Sequence, residues 1–346
     1  MSPVATSPRM RSATMALATP AGLRFARLPI RPVGAPLRRV PAPSKAIAES
    51  ATSNGAPVPQ AQAAPVQPVA PAAPAPAPAP AGPTQTTQIL APAAIYAAAA
   101  AAGAYKSKIS LPKAFVMGIL AGVYIGFGAL LSFTLLNYMP GLVSSNPGLA
   151  KLIAAAVFPM GLALIIVCGA ELFTGNSALM TAALLEGKAN FSDVLVRWVV
   201  VYAGNAVGCL AMAAAVAATG LWSANTVIPA LAVAKSSLPV AQALVRSVLC
   251  NWMVCLAVWM ALSASSLPGK LMGLWLPITA FVTVGLEHSI ANIFIIPMGM
   301  MLGAPVSVGQ FLTANLLPVT LGNFIAGAVC TAGLYSICFG KLGANL

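Results

Sequence analysis

Polar residues thin out beyond residue 110, and the gaps between them delimit six apolar spans, at 113–138, 150–186, 193–220, 240–264, 271–302 and 311–339. A hydrocarbon core takes about 20 helical residues, so every span is long enough to cross a bilayer. The second and fifth are too long for one straight crossing. Polar residues interrupt them, from Glu171 to Asn176 in the second and from Glu287 to Asn292 in the fifth. Non-helical backbone at membrane depth is tolerated only where protein buries it or a cavity receives it. The expectation is an all-α membrane protein whose second and fifth transmembrane helices are broken beside a pathway.

The two breaks share a spacing. Gly169-x-Glu171-x4-Asn176 repeats as Gly285-x-Glu287-x4-Asn292, and Val201-Tyr-Ala-Gly-Asn-Ala-Val-Gly208 is echoed by Val319-Thr-Leu-Gly-Asn-Phe-Ile-Ala-Gly327. The matches fall in the same order in spans one to three and four to six, as expected of an internal repeat. Each copy crosses an odd number of times, so the copies are inverted, and the broken helices meet near the midplane with their positive N-terminal ends available to an anion. Glu171, Glu287 and Asn176 read as residues that hold the breaks in place. The sole histidine, His288, lies in the fifth break beside Glu287. An ionisable pair at that depth is costly, so it normally faces a cavity or a partner.

Composition agrees with a membrane protein: 59% of the 346 residues are hydrophobic and 7% are charged. The net charge of +13 does not indicate nucleic acid, because Arg9, Arg11, Arg24, Arg27, Arg31, Arg38, Arg39 and Lys45 crowd one terminus and no acid precedes Glu49. A basic, acid-poor leader without one apolar core predicts an organellar transit peptide over residues 1–55. Residues 56–90 are rich in Pro and Ala and predict a disordered linker. The membrane domain is expected over 91–346. At its start the alanine-rich run Ala91 to Tyr105 predicts a short surface helix with Lys106 and Lys108 among headgroups and no part in function.

The remaining cations have a side. Lys106, Lys108, Lys113, Lys188, Arg197, Lys270 and Lys341 oppose Lys151, Lys235 and Arg246, which puts both termini inside. Arg197 and Arg246, near span ends, are expected to snorkel. Gly118, Gly122 and Gly126 form a ridge on which another helix can pack. The cysteines, Cys168, Cys209, Cys250, Cys255, Cys330 and Cys338, include no Cys-x-x-Cys and read as packing residues, so no metal site is expected.

The runs Cys168-Gly-Ala-Glu-Leu-Phe-Thr-Gly-Asn176, Leu249-Cys-Asn-Trp-Met-Val-Cys-Leu-Ala-Val-Trp-Met260, Gly285-Leu-Glu-His-Ser-Ile-Ala-Asn-Ile-Phe-Ile-Ile-Pro-Met-Gly299 and Pro318-Val-Thr-Leu-Gly-Asn323 resemble the signatures of the formate/nitrite transporters. The leader and linker resemble those of the chloroplast-envelope members in green algae. The resemblance implies an aquaporin-like bundle of six helices assembled as a homopentamer in lipid, with one substrate pore in each protomer. It places the central histidine at His288, the threonine of the second helix at Thr174, a vestibule lysine at Lys235, and pore asparagines at Asn251 and Asn292. It assigns the apolar constrictions to Phe158, Leu162, Leu172, Phe173 and Phe281. Leu286 departs from the aromatic common in bacterial members.

The cargo so implied is a small monovalent anion with protons: nitrite across the chloroplast envelope, with bicarbonate or formate as the alternative and another organelle as the alternative location. Lys235 would gather anions, the constrictions would strip their water, and His288 would either donate a proton or stay neutral while protons arrive from vestibule water. A membrane enzyme built on Glu287, His288 and Ser289 is the rival from another class. Consecutive residues diverge around a helix, so neither catalytic residues nor a cofactor is expected.

Overall fold

The computed structural model describes residues 89–344, and among them the chain is helical throughout, without a strand. The expected transit leader and nearly all of the linker lie outside the described residues. Among the described residues six helices are long and apolar enough to span a membrane: Leu111–Asn137, Pro147–Cys168, Phe191–Thr219, Val240–Ser263, Leu267–Val284 and Val308–Phe339. In chain order the elements used below are α1 (Pro92–Lys106), α2 (Leu111–Asn137), α3 (Pro140–Ser145), α4 (Pro147–Val157), α5 (Met160–Cys168) and α6 (Phe173–Leu185). They continue with α7 (Phe191–Thr219), α8 (Val227–Ser236), α9 (Val240–Ser263), α10 (Leu267–Val284) and α11 (Ser289–Met301). The last span, Val308–Phe339, contains two π-helical stretches, Phe311–Leu316 and Ala326–Gly333.

Both breaks open the same way. α5 stops at Gly169 and α10 at Gly285, whose φ values of +78° and +82° lie where a side chain would be strained. Three residues of extended or irregular chain follow each glycine, and then a 13-residue half-helix begins, α6 at Phe173 and α11 at Ser289. The inverted repeat extends to elements that its sequence motifs do not reach. α1 packs along α6 as α8 packs along α11, so α1 is the counterpart of α8 and not a helix resting on the lipid surface. Ala99 and Ala100 of α1 are fully buried. Near its start, Tyr96 donates to Glu186 Oε1 at 2.9 Å, and the same oxygen accepts from the Lys341 amide at 3.0 Å. Partial burial would raise the Glu186 pKa, but these bonds and the Lys341 charge outweigh it and hold the carboxyl below its usual range.

The glycine ridge on α2 packs against α7 as expected. A Cβ on Gly122 would collide with the backbone of Asn205 and Cys209, and one on Gly208 with the backbone of Ile119, so neither clash can be relieved by turning a side chain. Gly122→Val is therefore expected to cost about 3 kcal/mol or more and to abolish monodisperse protein in detergent. Leu120→Val, on the exposed side of the same helix, should leave the elution profile unchanged. Equal yields of the two variants would contradict this packing.

Candidate functional site

Each half-helix is held by one asparagine from the third span of its own repeat. Asn205 on α7 accepts from the Phe173 amide at 2.9 Å and donates to the carbonyls of Glu171 (2.8 Å) and Gly118 (2.9 Å). Asn323 on the last span accepts from the Ser289 amide at 2.8 Å and donates to the carbonyls of Glu287 (3.0 Å) and Ser247 (2.8 Å). Backbone groups freed by the breaks are satisfied in this way without closing the helices.

A carboxylate clamp sits beside each break. Glu171 accepts from Lys106 Nζ at 2.6 Å and from Asn176 Nδ2 at 2.7 Å. Glu287 accepts from Lys235 Nζ at 3.0 Å, Asn292 Nδ2 at 2.7 Å and Asn315 Nδ2 at 3.2 Å. Lys106 is thus the structural twin of Lys235, its ammonium turned to the carboxylate at the first break. Two of these additional residues were signalled in the chain: Asn205 and Asn323 are the matched asparagines of the repeat. Lys106 and Asn315 carried none, because Lys106 lies in a low-complexity helix and Asn315 has no asparagine counterpart in the first half.

Between the clamps the two half-helices touch through Thr174 and His288, whose Oγ1 and Nε2 are 3.0 Å apart. The ring's other nitrogen, Nδ1, accepts from the Ala291 amide at 3.1 Å and caps α11. A nitrogen that accepts an N–H carries no proton, so the proton of the neutral ring is on Nε2 and points at Thr174 Oγ1. Within the described residues Oγ1 has no other partner, and the hydroxyl proton of Thr174 is left to point elsewhere. Two positive helix ends, each equivalent to about half an elementary charge, converge here.

Two cavities approach this point. The first, about 490 Å³, is walled by Phe158, Phe281, Leu286 and His288, with Lys235 and Asn292 also on its lining. The second, about 380 Å³, is walled by Leu162 and Leu172, with Lys106 and Glu171. Phe281 lies over the His288 ring, centroids 6.0 Å apart, and meets Phe158 edge-on at 6.1 Å. Thr174 lines neither cavity and is fully buried between them. Phe173 also lines neither cavity, because its ring packs edge-on against Tyr202 at 4.9 Å. Asn251 is buried behind the pathway, where it donates to the carbonyls of Thr174 (3.1 Å) and Asn323 (2.6 Å) and so ties the two repeats together.

Residues 93–337 match the sequence model of the family described as formate/nitrite transporter. The chain belongs to the formate/nitrite transporter family. A probable formate transporter of Methanothermobacter thermautotrophicus is 42% identical over 262 residues, spanning 70% of this chain and 95% of that protein. The formate channel FocA of Escherichia coli K12 is 35% identical over 276 residues, spanning 72% of this chain and 95% of FocA. Among solved structures, a pentameric formate channel with formate bound superposes with a TM-score of 0.58 at 32% identity, over 67% of this chain and 98% of that one. Family membership and the six spans make the chain a multi-pass membrane protein of an anion-transporting family, not an enzyme.

Proposed function

We propose that the chain is a homopentameric channel for a small monovalent weak-acid anion, with nitrite as its cargo and the chloroplast envelope, inner membrane, as its location. The observation that carries this reading is the Thr174–His288 contact, where two half-helix ends meet between two cavities with apolar walls. An anion entering the aromatic slit loses water, and the loss of an unpaired ion's hydration costs tens of kcal/mol in a Born estimate. Helix dipoles, the Thr174 hydroxyl and the His288 Nε2–H offset part of that cost, and protonation of the anion removes most of the rest.

The tautomer favours one of the two roles considered for His288. A neutral ring that surrendered its Nε2 proton would become an imidazolate, so the ring lends a hydrogen bond while the proton comes from vestibule water. Thr174→Val keeps the shape and removes the acceptor that orients the ring. Its uptake is expected to fall about tenfold, with Thr174→Ser close to wild type. Equal uptake by the Val and Ser variants would remove Thr174 from the pathway.

Nitrite is favoured by the plastid-type leader, because plastids reduce nitrite internally. Formate is the second reading, favoured by the names of the relatives described above. Proteoliposomes holding the full chain, loaded separately with nitrite, formate and bicarbonate, decide between them. Nitrite uptake at least equal to that of formate supports the proposal, and formate uptake without nitrite uptake replaces it. Residues 1–90 fused to a fluorescent protein should direct it to the plastid, and cytosolic fluorescence would contradict the location.

A further inference from the structure

We infer that Arg246 and Lys151, rather than Lys235, gather anions at the mouth of the first cavity. This inference rests on the anion-pore reading and names the charges that feed it. The charged residues on this cavity's lining are Lys151 from α4, Lys235 from α8, Arg246 from α9 and Glu287. Lys235 and Glu287 form a buried ion pair at 3.0 Å, with side-chain exposures of 11% and 2%. Seen from the mouth, such a pair is a short dipole whose opposite charges nearly cancel, so it exerts little pull on a distant anion. Lys235 acts on the pathway by holding the clamp at the break.

Lys151 and Arg246 are different. Both are exposed, and neither makes an ion pair or side-chain hydrogen bond with any described residue. Arg197, which the sequence placed with Arg246 as a snorkelling residue, is engaged instead, donating to the Ile109 carbonyl at 3.0 Å and pairing with Asp193. The first cavity therefore carries two uncompensated positive charges at its rim. In the second, Lys106 is cancelled by Glu171, which leaves one unpaired cation among its described lining residues, Lys270, donating to the Ala261 carbonyl at 3.1 Å, against two at the first. A rim of one sign above low-dielectric walls raises the local anion concentration and the capture rate, and salt screens the effect.

The test measures initial nitrite and formate uptake into proteoliposomes of the full chain between about 10 and about 150 mM ionic strength, where the screening length shortens from about 30 to about 8 Å. Lys151→Gln/Arg246→Gln is expected to lower uptake about three- to tenfold at the low end, with the deficit closing as salt rises. Lys235→Gln should lower uptake by a similar factor at both ends. Lys151→Arg/Arg246→Lys keeps both charges and should keep the wild-type salt dependence, so losing that dependence here would overturn the inference by assigning the effect to structure. Wild-type salt dependence in the double Gln variant, or a flattened one in Lys235→Gln alone, would also overturn it while leaving the pore reading intact. Absence of wild-type uptake at every ionic strength would withdraw both.

Discussion

Glu287→Ala is expected to destabilise the protein by about 3–5 kcal/mol, the cost of leaving one partner of a buried ion pair uncompensated. The side chain is 2% exposed and serves three donors, so its loss strands Lys235, Asn292 and Asn315 together. The Asn315 amide also donates to the Lys235 carbonyl at 2.9 Å, which couples the damage to the end of α8. Melting of the detergent-solubilised protein, followed by tryptophan fluorescence, should shift down by on the order of 10 °C. A Lys235→Met/Glu287→Gln variant removes both charges and keeps an acceptor for the asparagines, so it should recover more than half of the loss. If the single and double variants melt at the same temperature as wild type, the clamp is not what holds the fifth helix open.

Sequence periodicity was a sound guide to the spans, because a bilayer imposes a length on any run that crosses it. The polar runs expected to interrupt them, Glu171–Asn176 and Glu287–Asn292, start inside the breaks, but the chain opens two residues earlier, at Gly169 and Gly285, and is helical again from Phe173 and Ser289. The repeat was legible from Glu171, Asn176, Glu287 and Asn292, four polar residues in surroundings where polarity is costly. Legibility failed for α1. An alanine-rich helix has no polar face to betray its orientation, and small side chains that let it press against α6 look the same as small side chains that pack against nothing. The sequence consequently gives no sign that Lys106 completes the first clamp. Phe173 shows the opposite difficulty: its neighbours Leu172 and Thr174 line the second cavity and meet His288, respectively, and only the folded structure reveals that its own ring turns to Tyr202. The charge on Lys235 was legible, but its cancellation by Glu287 was not, because the partners lie 52 residues apart.

His288→Ala is expected to have the largest effect on transport. The substitution removes the cap on the Ala291 amide, costing about 1 kcal/mol of local stability, and it removes the Nε2–H that reaches Thr174 between the cavities. Loss of one preorganised donor in a buried site lowers rates by roughly two orders of magnitude. Asparagine is the informative replacement, since its carbonyl can cap α11 and its amide can donate toward Thr174, while it cannot release a proton near neutral pH. The central claim, that His288 contributes a fixed hydrogen bond and not a proton, is tested most directly by initial nitrite and formate uptake for wild type, His288→Ala and His288→Asn in matched proteoliposomes. The account predicts a loss of about 100-fold for Ala and retention within about tenfold for Asn. Asn uptake as low as that of Ala, or Ala uptake equal to wild type, would contradict it.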